Sequence, residues 1–215
     1  RKGPAAVIEV VQFLLECDPN VPLQELDDKL PLYYVCRWET NINTPKLNAY
    51  LKILQILYDA HPEAIESNEV TSNVDSFCQE IQTFINTQLI YARQARDHHL
   101  MHSPDDNGQL PLHKALRDNV TLGSIKLLVK GNPSAVQTSD RDGALPLHLA
   151  SLHYDDTCIV EYLINLDPTS LCAVDGEGNT VLHYACRGAK YDTIALLLGK
   201  YGGVSVSKRN MNNQL

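Results

Sequence analysis

The sequence contains no C-x-x-C pair, no run of 18 apolar residues and no excess of basic side chains, and each lack removes a class of protein. Its six cysteines, Cys17, Cys36, Cys78, Cys158, Cys172 and Cys186, stand far apart. Neither a paired-cysteine zinc site nor a disulfide framework is read from that spacing, and the thiols are expected to be reduced and mostly buried, in a cytoplasmic or nuclear setting. Without a long apolar run or a signal-peptide pattern, no membrane span is expected. Asp and Glu outnumber Lys and Arg, 26 to 18, for a net charge of −8 and a pI near 5.4. A nucleic-acid partner, which calls for a basic face, is excluded on that ground. There is no glycine-rich phosphate loop after a strand, no G-x-S-x-G and no carboxylate pair that stands apart from the surface charge. No catalytic residue and no cofactor are therefore assigned, and the chain is not read as an enzyme.

What the sequence does contain is a period. Leu110-Pro111-Leu112-His113 returns 35 residues later as Leu145-Pro146-Leu147-His148, and after another 35 as Thr180-Val181-Leu182-His183. Leu215 stands one further period along. A fixed period of this length marks stacked supersecondary units, because one unit cannot bury its own apolar face and needs neighbours. A glycine precedes each motif by two positions, at Gly108, Gly143 and Gly178, and supplies the positive φ of a tight reversal. Pro111 and Pro146 mark helix starts, where the missing N–H has no intrahelical partner to lose. Each His is followed two positions on by an alanine, Ala115, Ala150 or Ala185, small enough for helices to approach closely. Apolar runs such as Ile125–Val129, Ile159–Ile164 and Ile194–Leu198 then form the second helix of each unit.

This order of turn, short inner helix, loop and outer helix resembles the ankyrin repeat, and the likeness covers residues 106 to 215. The chain departs from the family pattern where Leu110 and Leu145 replace the capping threonine, a loss of roughly 1 kcal/mol per cap. The fold expected is an all-α, ankyrin-type helical solenoid with one long inserted helix. Residues 1–68 read as degenerate repeats, the first incomplete. Leu30-Pro31-Leu32-Tyr33 opens an inner helix there, Glu39 to Lys46 forms an extended loop, Tyr50 to His61 is an outer helix, and Val7 to Cys17 is the outer helix of a still earlier unit. Residues 69–105 form the insertion, with a single helix from Ser76 to Leu100 of roughly 35–40 Å, begun by a Ser76/Gln79 capping box. Residues 106–215 hold three repeats and the start of another. Ending inside a motif, the sequence reads as a monomeric piece of a longer protein.

His98 and His102 share a helical face as metal ligands can, but a third ligand at fixed spacing is missing, so no metal site is assigned. The resemblance implies that His113, His148 and His183 tie neighbouring turns together. It also implies a concave binding face. Its turn tips are Asp106, Asn107 and Gln109, then Arg141, Asp142 and Ala144, then Glu177 and Asn179. Its inner-helix positions are Arg117 and Asp118, Leu152 and His153, and Arg187 with Gly188, flanked by the loop residues Tyr154 and Lys190. The function expected is protein–protein interaction, in the partner-selecting or scaffolding segment of a larger protein. The alternatives are a structural spacer, self-association through the long helix, or a regulatory region attached to an enzymatic domain elsewhere.

Overall fold

A computed structural model describes residues 4–18, 31–36, 44–199 and 209–212. The chain divides into two compact units, Arg1–Arg93 and Gln94–Leu215. Among the described residues every regular element is helical, and one isolated antiparallel bridge joins Val174 to Thr180.

In the first unit α1 (Pro4–Cys17) packs on α3 (Thr44–Ala60), which also carries α2 (Pro31–Cys36). Proline in the first turn of each helix removes an N–H that would have gone unpaired. A 3-10 turn (Pro62–Glu66), α4 (Asn68–Thr71), a second 3-10 turn (Val74–Ser76) and α5 (Gln79–Arg96) follow. Tyr58, Ile53, Leu54, Ile65 and Ile85 form the centre of the core, each at most 2 % exposed. Helix α3 starts at Thr44, six residues before the sequence-based start at Tyr50, because Pro45 is tolerated in a first turn. The rest of the expected loop, and Leu30, lie outside the described residues.

The single helix expected from Ser76 to Leu100 is instead two. Phe77 is extended (φ −87°, ψ 163°) and buried in the core, so α5 begins only at Gln79. Gln82, not Gln79, folds back over this start, donating to the Phe77 carbonyl at 2.8 Å. At the other end Asp97 leaves the helical region (φ −84°, ψ 98°), and its carboxylate caps α6 (His98–His102) by accepting the Leu100 N–H at 3.1 Å. An aspartate that bonds its own backbone competes with helix continuation. The break turns Met101 inward to 1 % exposure. Asn132 then secures it, donating to the Met101 carbonyl at 2.8 Å.

The second unit continues with α7 (Pro111–Arg117) and α8 (Leu122–Gly131), α9 (Pro146–His153) and α10 (Thr157–Leu166), α11 (Val181–Arg187) and α12 (Tyr191–Gly199). The inner helices α7, α9 and α11 pack in series, and the outer helices α8, α10 and α12 do the same behind them. Inner helices of 7 or 8 residues are too short to persist alone, so stacking is what forms them. Ala115, Ala150 and Ala185 are completely buried where these helices touch. Outer helices α8 and α10 end at Asn132-Pro133 and Asp167-Pro168, where proline cannot continue the helix and starts a 3-10 turn.

The cysteines depart from expectation. Cys17, Cys158, Cys172 and Cys186 are exposed and Cys78 is half-buried, and none of these five forms a disulfide. The inward stripe of α10 is Ile159, Val160, Leu163 and Ile164, which leaves Cys158 beside it on the solvent side. The side chain of Cys36 lies outside the described ones.

Candidate functional site

Three aspartates build the turn tips, one per 35-residue period. Asp105 Oδ1 accepts the N–H groups of Asn107 and Gln109, both at 2.9 Å. Asp140 does the same for Asp142 and Ala144 at 3.1 and 2.9 Å, and Asp175 for Glu177 and Asn179 at 2.9 and 2.8 Å. Gly108, Gly143 and Gly178 complete the reversals with φ between 71° and 80°. Backbone bonds then join tip to tip in register: Arg141 N–H to Asn107 O at 3.0 Å, Gly176 N–H to Asp142 O at 2.8 Å, and Met211 N–H to Glu177 O at 2.8 Å. Residues 209–212 thus lie on the third tip as the start of a fourth. Asn210 takes the aspartate position there and donates to Asn179 Oδ1 at 2.7 Å.

All three histidines accept a backbone N–H at their own helix start. The expected tie between neighbouring turns is made by His113 and not by His148, whose Nε2 is buried without a hydrogen-bond partner. Leu110 and Leu145 have no side-chain oxygen to cap α7 and α9, and the ring three residues on answers from the other side. His113 Nδ1 accepts the Leu110 N–H at 3.2 Å and His148 Nδ1 the Leu145 N–H at 3.1 Å. His183 Nδ1 accepts from Thr180 at 3.1 Å. Acceptance at Nδ1 places the proton of His113 on Nε2, which donates to the Thr138 carbonyl at 3.0 Å. Burial pushes the pKa of His113 and of His148 below the ordinary value, since desolvation penalises the imidazolium. His98 and His102 stack at 4.2 Å, with His102 Nδ1 on the His98 carbonyl, and no cluster of three metal-binding side chains occurs among the described residues.

Between the tips and the inner helices run two adjoining hollows. The first, of about 350 Å³, is lined by Arg117, Asp140, Asp142, Ala144, Leu149, Leu152, His153, Tyr184 and Arg187. The second, of about 390 Å³, is lined by Arg141, Asp142, Asp175, Gly176, Glu177, Tyr184 and Arg187. They share Asp142, Tyr184 and Arg187, and the Arg187 guanidinium lies 5.3 Å from the centre of the Tyr184 ring, within cation–π range. Arg117 is held from behind by Gln109, whose amide, when oriented with its oxygen toward the guanidinium, accepts from both Nη1 and Nη2 at 2.8 Å. His153, half-buried beside the cations Arg117 and Lys190, has its pKa lowered by desolvation first and by these charges second.

Of the residues marked from the sequence, Arg117, Arg141, Asp142, Ala144, Leu152, His153, Glu177 and Arg187 come together along these hollows. Asp106, Asn107 and Asp118 are exposed but line neither. Lys190 is engaged outside them, 3.0 Å from Asp155 Oδ1. Three assignments are corrected. Tyr154 is 5 % exposed, its hydroxyl donating to the Val120 carbonyl at 2.9 Å, so it braces the preceding repeat instead of facing a partner. Gln109 is 6 % exposed behind Arg117, and Asn179 is 1 % exposed, donating to Asp175 Oδ2 at 2.9 Å. Both are internal parts of their turns.

Asp140, Asp175, Leu149 and Tyr184 were not marked. The recurrence of aspartate at 105, 140 and 175 is a sequence signal for the first two. Tyr184 gave none, because it stands where the other units have Lys114 and Leu149.

A search of curated proteins finds no match to the chain. The family model for ankyrin repeats matches residues 123–210, in three copies. Such repeats are generally non-catalytic modules of protein–protein interaction. The period, the stacked helix pairs and this match agree, and over residues 123–210 the chain is a member of the ankyrin repeat family.

Proposed function

We propose that the chain is the partner-selecting segment of an interaction protein and binds an extended protein segment along the two hollows. The observation that supports this most is the convergence of Arg117, Arg141 and Arg187 on Leu149, Leu152 and Tyr184 in one continuous groove. Arginine and aromatic side chains in partly desolvated positions dominate binding energy at interfaces. A spacer would be served by a uniformly charged, solvated face, and this one includes Leu149, Leu152 and Tyr184 in its lining. The mixed signs of Arg141, Asp142, Glu177 and Arg187 suit a polypeptide, with its N–H and C=O groups, better than a phosphate backbone. Among the described residues no helix is long and apolar enough to cross a membrane, and an intracellular setting fits five cysteines that form no disulfide.

Selection of a displayed random-peptide library on the chain tests this reading, followed by anisotropy titration of the selected peptides against wild type and an Arg141→Glu/Arg187→Glu variant. Peptides that lose affinity about tenfold or more in the variant support the groove, since reversing a rim charge adds like-charge repulsion. Peptides bound equally by both would move the binding surface elsewhere.

A further inference from the structure

The three turn aspartates differ in what satisfies their second oxygen. In the first unit Lys114, nine residues after the aspartate, stands 3.1 Å from Asp105 Oδ2. In the third, Tyr184 at the same offset donates its hydroxyl to Asp175 Oδ2 at 2.9 Å, joined by the amide of Asn179. In the middle unit both donor positions are apolar: Leu149 stands for Tyr184 and Ala144 for Asn179. Asp140 Oδ2 is consequently left without a hydrogen-bond donor, although the side chain is only 1 % exposed. Arg117 Nη2 approaches to 3.6 Å, too far for a hydrogen bond, because Gln109 holds the guanidinium. A buried carboxylate oxygen lacking a donor is costly. Asp140 is one of the residues that line the first hollow, with Ala144, Leu149 and Leu152.

We infer that this hollow is a pocket for a tyrosine side chain of the bound partner, whose phenol hydroxyl donates to Asp140 Oδ2. The inference rests on the groove reading above and adds the identity of one anchor. Its chemistry follows from the walls. The apolar floor of Leu149 and Leu152 accepts an aromatic body, and about 350 Å³ is ample for one ring. Arg117 and Arg187 flank the opening, where cations favour a ring face and repel a lysine or arginine that could otherwise supply the donor. The third unit already contains this arrangement internally, with Tyr184 on Asp175 under Arg187. The partner's tyrosine completes in the second unit what the chain supplies for itself in the third.

The test is a ¹H–¹⁵N NMR titration of the chain with N-acetyl-L-tyrosinamide, N-acetyl-L-phenylalaninamide and N-acetyl-L-lysinamide. Saturable shifts at Ala144, Leu149 and Leu152 are expected with the tyrosine probe. Affinity for the phenylalanine probe should be about tenfold lower, for want of one charge-assisted hydrogen bond. The lysine probe should be weakest. Two variants fill the site from within: Ala144→Asn/Leu149→Tyr copies the third unit and Leu149→Lys copies the first. Either, when folded by circular dichroism, should abolish the tyrosine shifts and melt at or above the wild-type temperature. Should neither fold, the ranking of the three probes on wild type decides. Equal binding of tyrosine and phenylalanine, preference for lysine, absence of shifts, or shifts that persist in a folded filled variant would each overturn the assignment. Peptides from the library that bind wild type and filled variants alike would keep the groove while removing the tyrosine pocket.

Discussion

Tyr184 donates its hydroxyl to Asp175 Oδ2 at 2.9 Å, joining the floor of an inner helix to the carboxylate that shapes the turn above it. Burial is the first cause that raises the phenol's pKa and the neighbouring Asp175 the second, so the hydroxyl stays a donor throughout the neutral range. Desolvation would raise the Asp175 carboxyl, but the donors on it, Asn179 and Tyr184 among them, prevail and lower it. Tyr184→Phe keeps the ring and removes the bond, and a loss of about 1–2 kcal/mol is expected in urea unfolding monitored by circular dichroism. An unchanged midpoint would mean that Asn179 alone satisfies the oxygen.

Stability depends on pH through the histidines. The folded-state pKa of His113 and of His148 is depressed by burial below the ordinary 6.5, so the folded form prefers neutral rings. Their contribution is complete above pH 6.5 and is lost as pH falls below it towards the folded values, because the unfolded chain then binds more protons. The urea midpoint should therefore fall between pH 7 and pH 5.5. A His113→Gln/His148→Gln variant, although less stable throughout, should show a flatter dependence over the same interval.

Two turn glycines separate strain from collision. Gly143 and Gly178 share φ +80°, which costs a residue with a side chain about 1–2 kcal/mol. A methyl on Gly143 would also come within 2.6 Å of the Gly176 nitrogen, whose N–H carries the ladder bond to Asp142 O, while one on Gly178 meets nothing nearer than 3.5 Å. Thermal unfolding should show Gly143→Ala to be the more damaging of the two, and equal effects would mean that the tips part easily.

Ala189 runs the opposite way. It occupies the left-handed region at φ 51° on an exposed loop after α11. Ala189→Gly relieves that strain and should raise stability by about 0.5–1 kcal/mol, read as a higher melting temperature, the gain being reduced by glycine's larger entropy when unfolded.

Tyr154 separates a brace from a contact. Tyr154→Ala should cost about 3–5 kcal/mol through the cavity it opens and the Val120 carbonyl it leaves unpaired. Leu152→Ala, at the half-buried groove wall, should spare the fold and weaken selected peptides. Loss of peptide binding by Tyr154→Ala with unchanged stability would return this residue to the binding face.

The period-35 motifs made the stacked helix pairs legible, since glycine at a reversal, proline at a helix start and alanine at a close contact are each dictated locally. The end of the expected long helix was not legible. Asp97 is an ordinary helix-surface residue until Met101 has somewhere to be buried, and only then does its carboxylate act as a cap. The binding face was half legible for a similar reason. Spacing places Tyr154 and Asn179 beside Leu152 and Glu177, but whether a polar side chain turns out to solvent or inward to an acceptor depends on what lies in the next repeat.

The sequence by itself determined the repeat unit, its helix starts and turns, and the stacking that follows, because those depend on backbone geometry and apolar periodicity within about 35 residues. The tertiary structure decided which side chains form the groove and left one Asp140 oxygen without a hydrogen-bond donor. That outcome depends on the distance from Asp140 to Arg117 and on the restraint of Arg117 by Gln109, relations between residues brought together only by stacking.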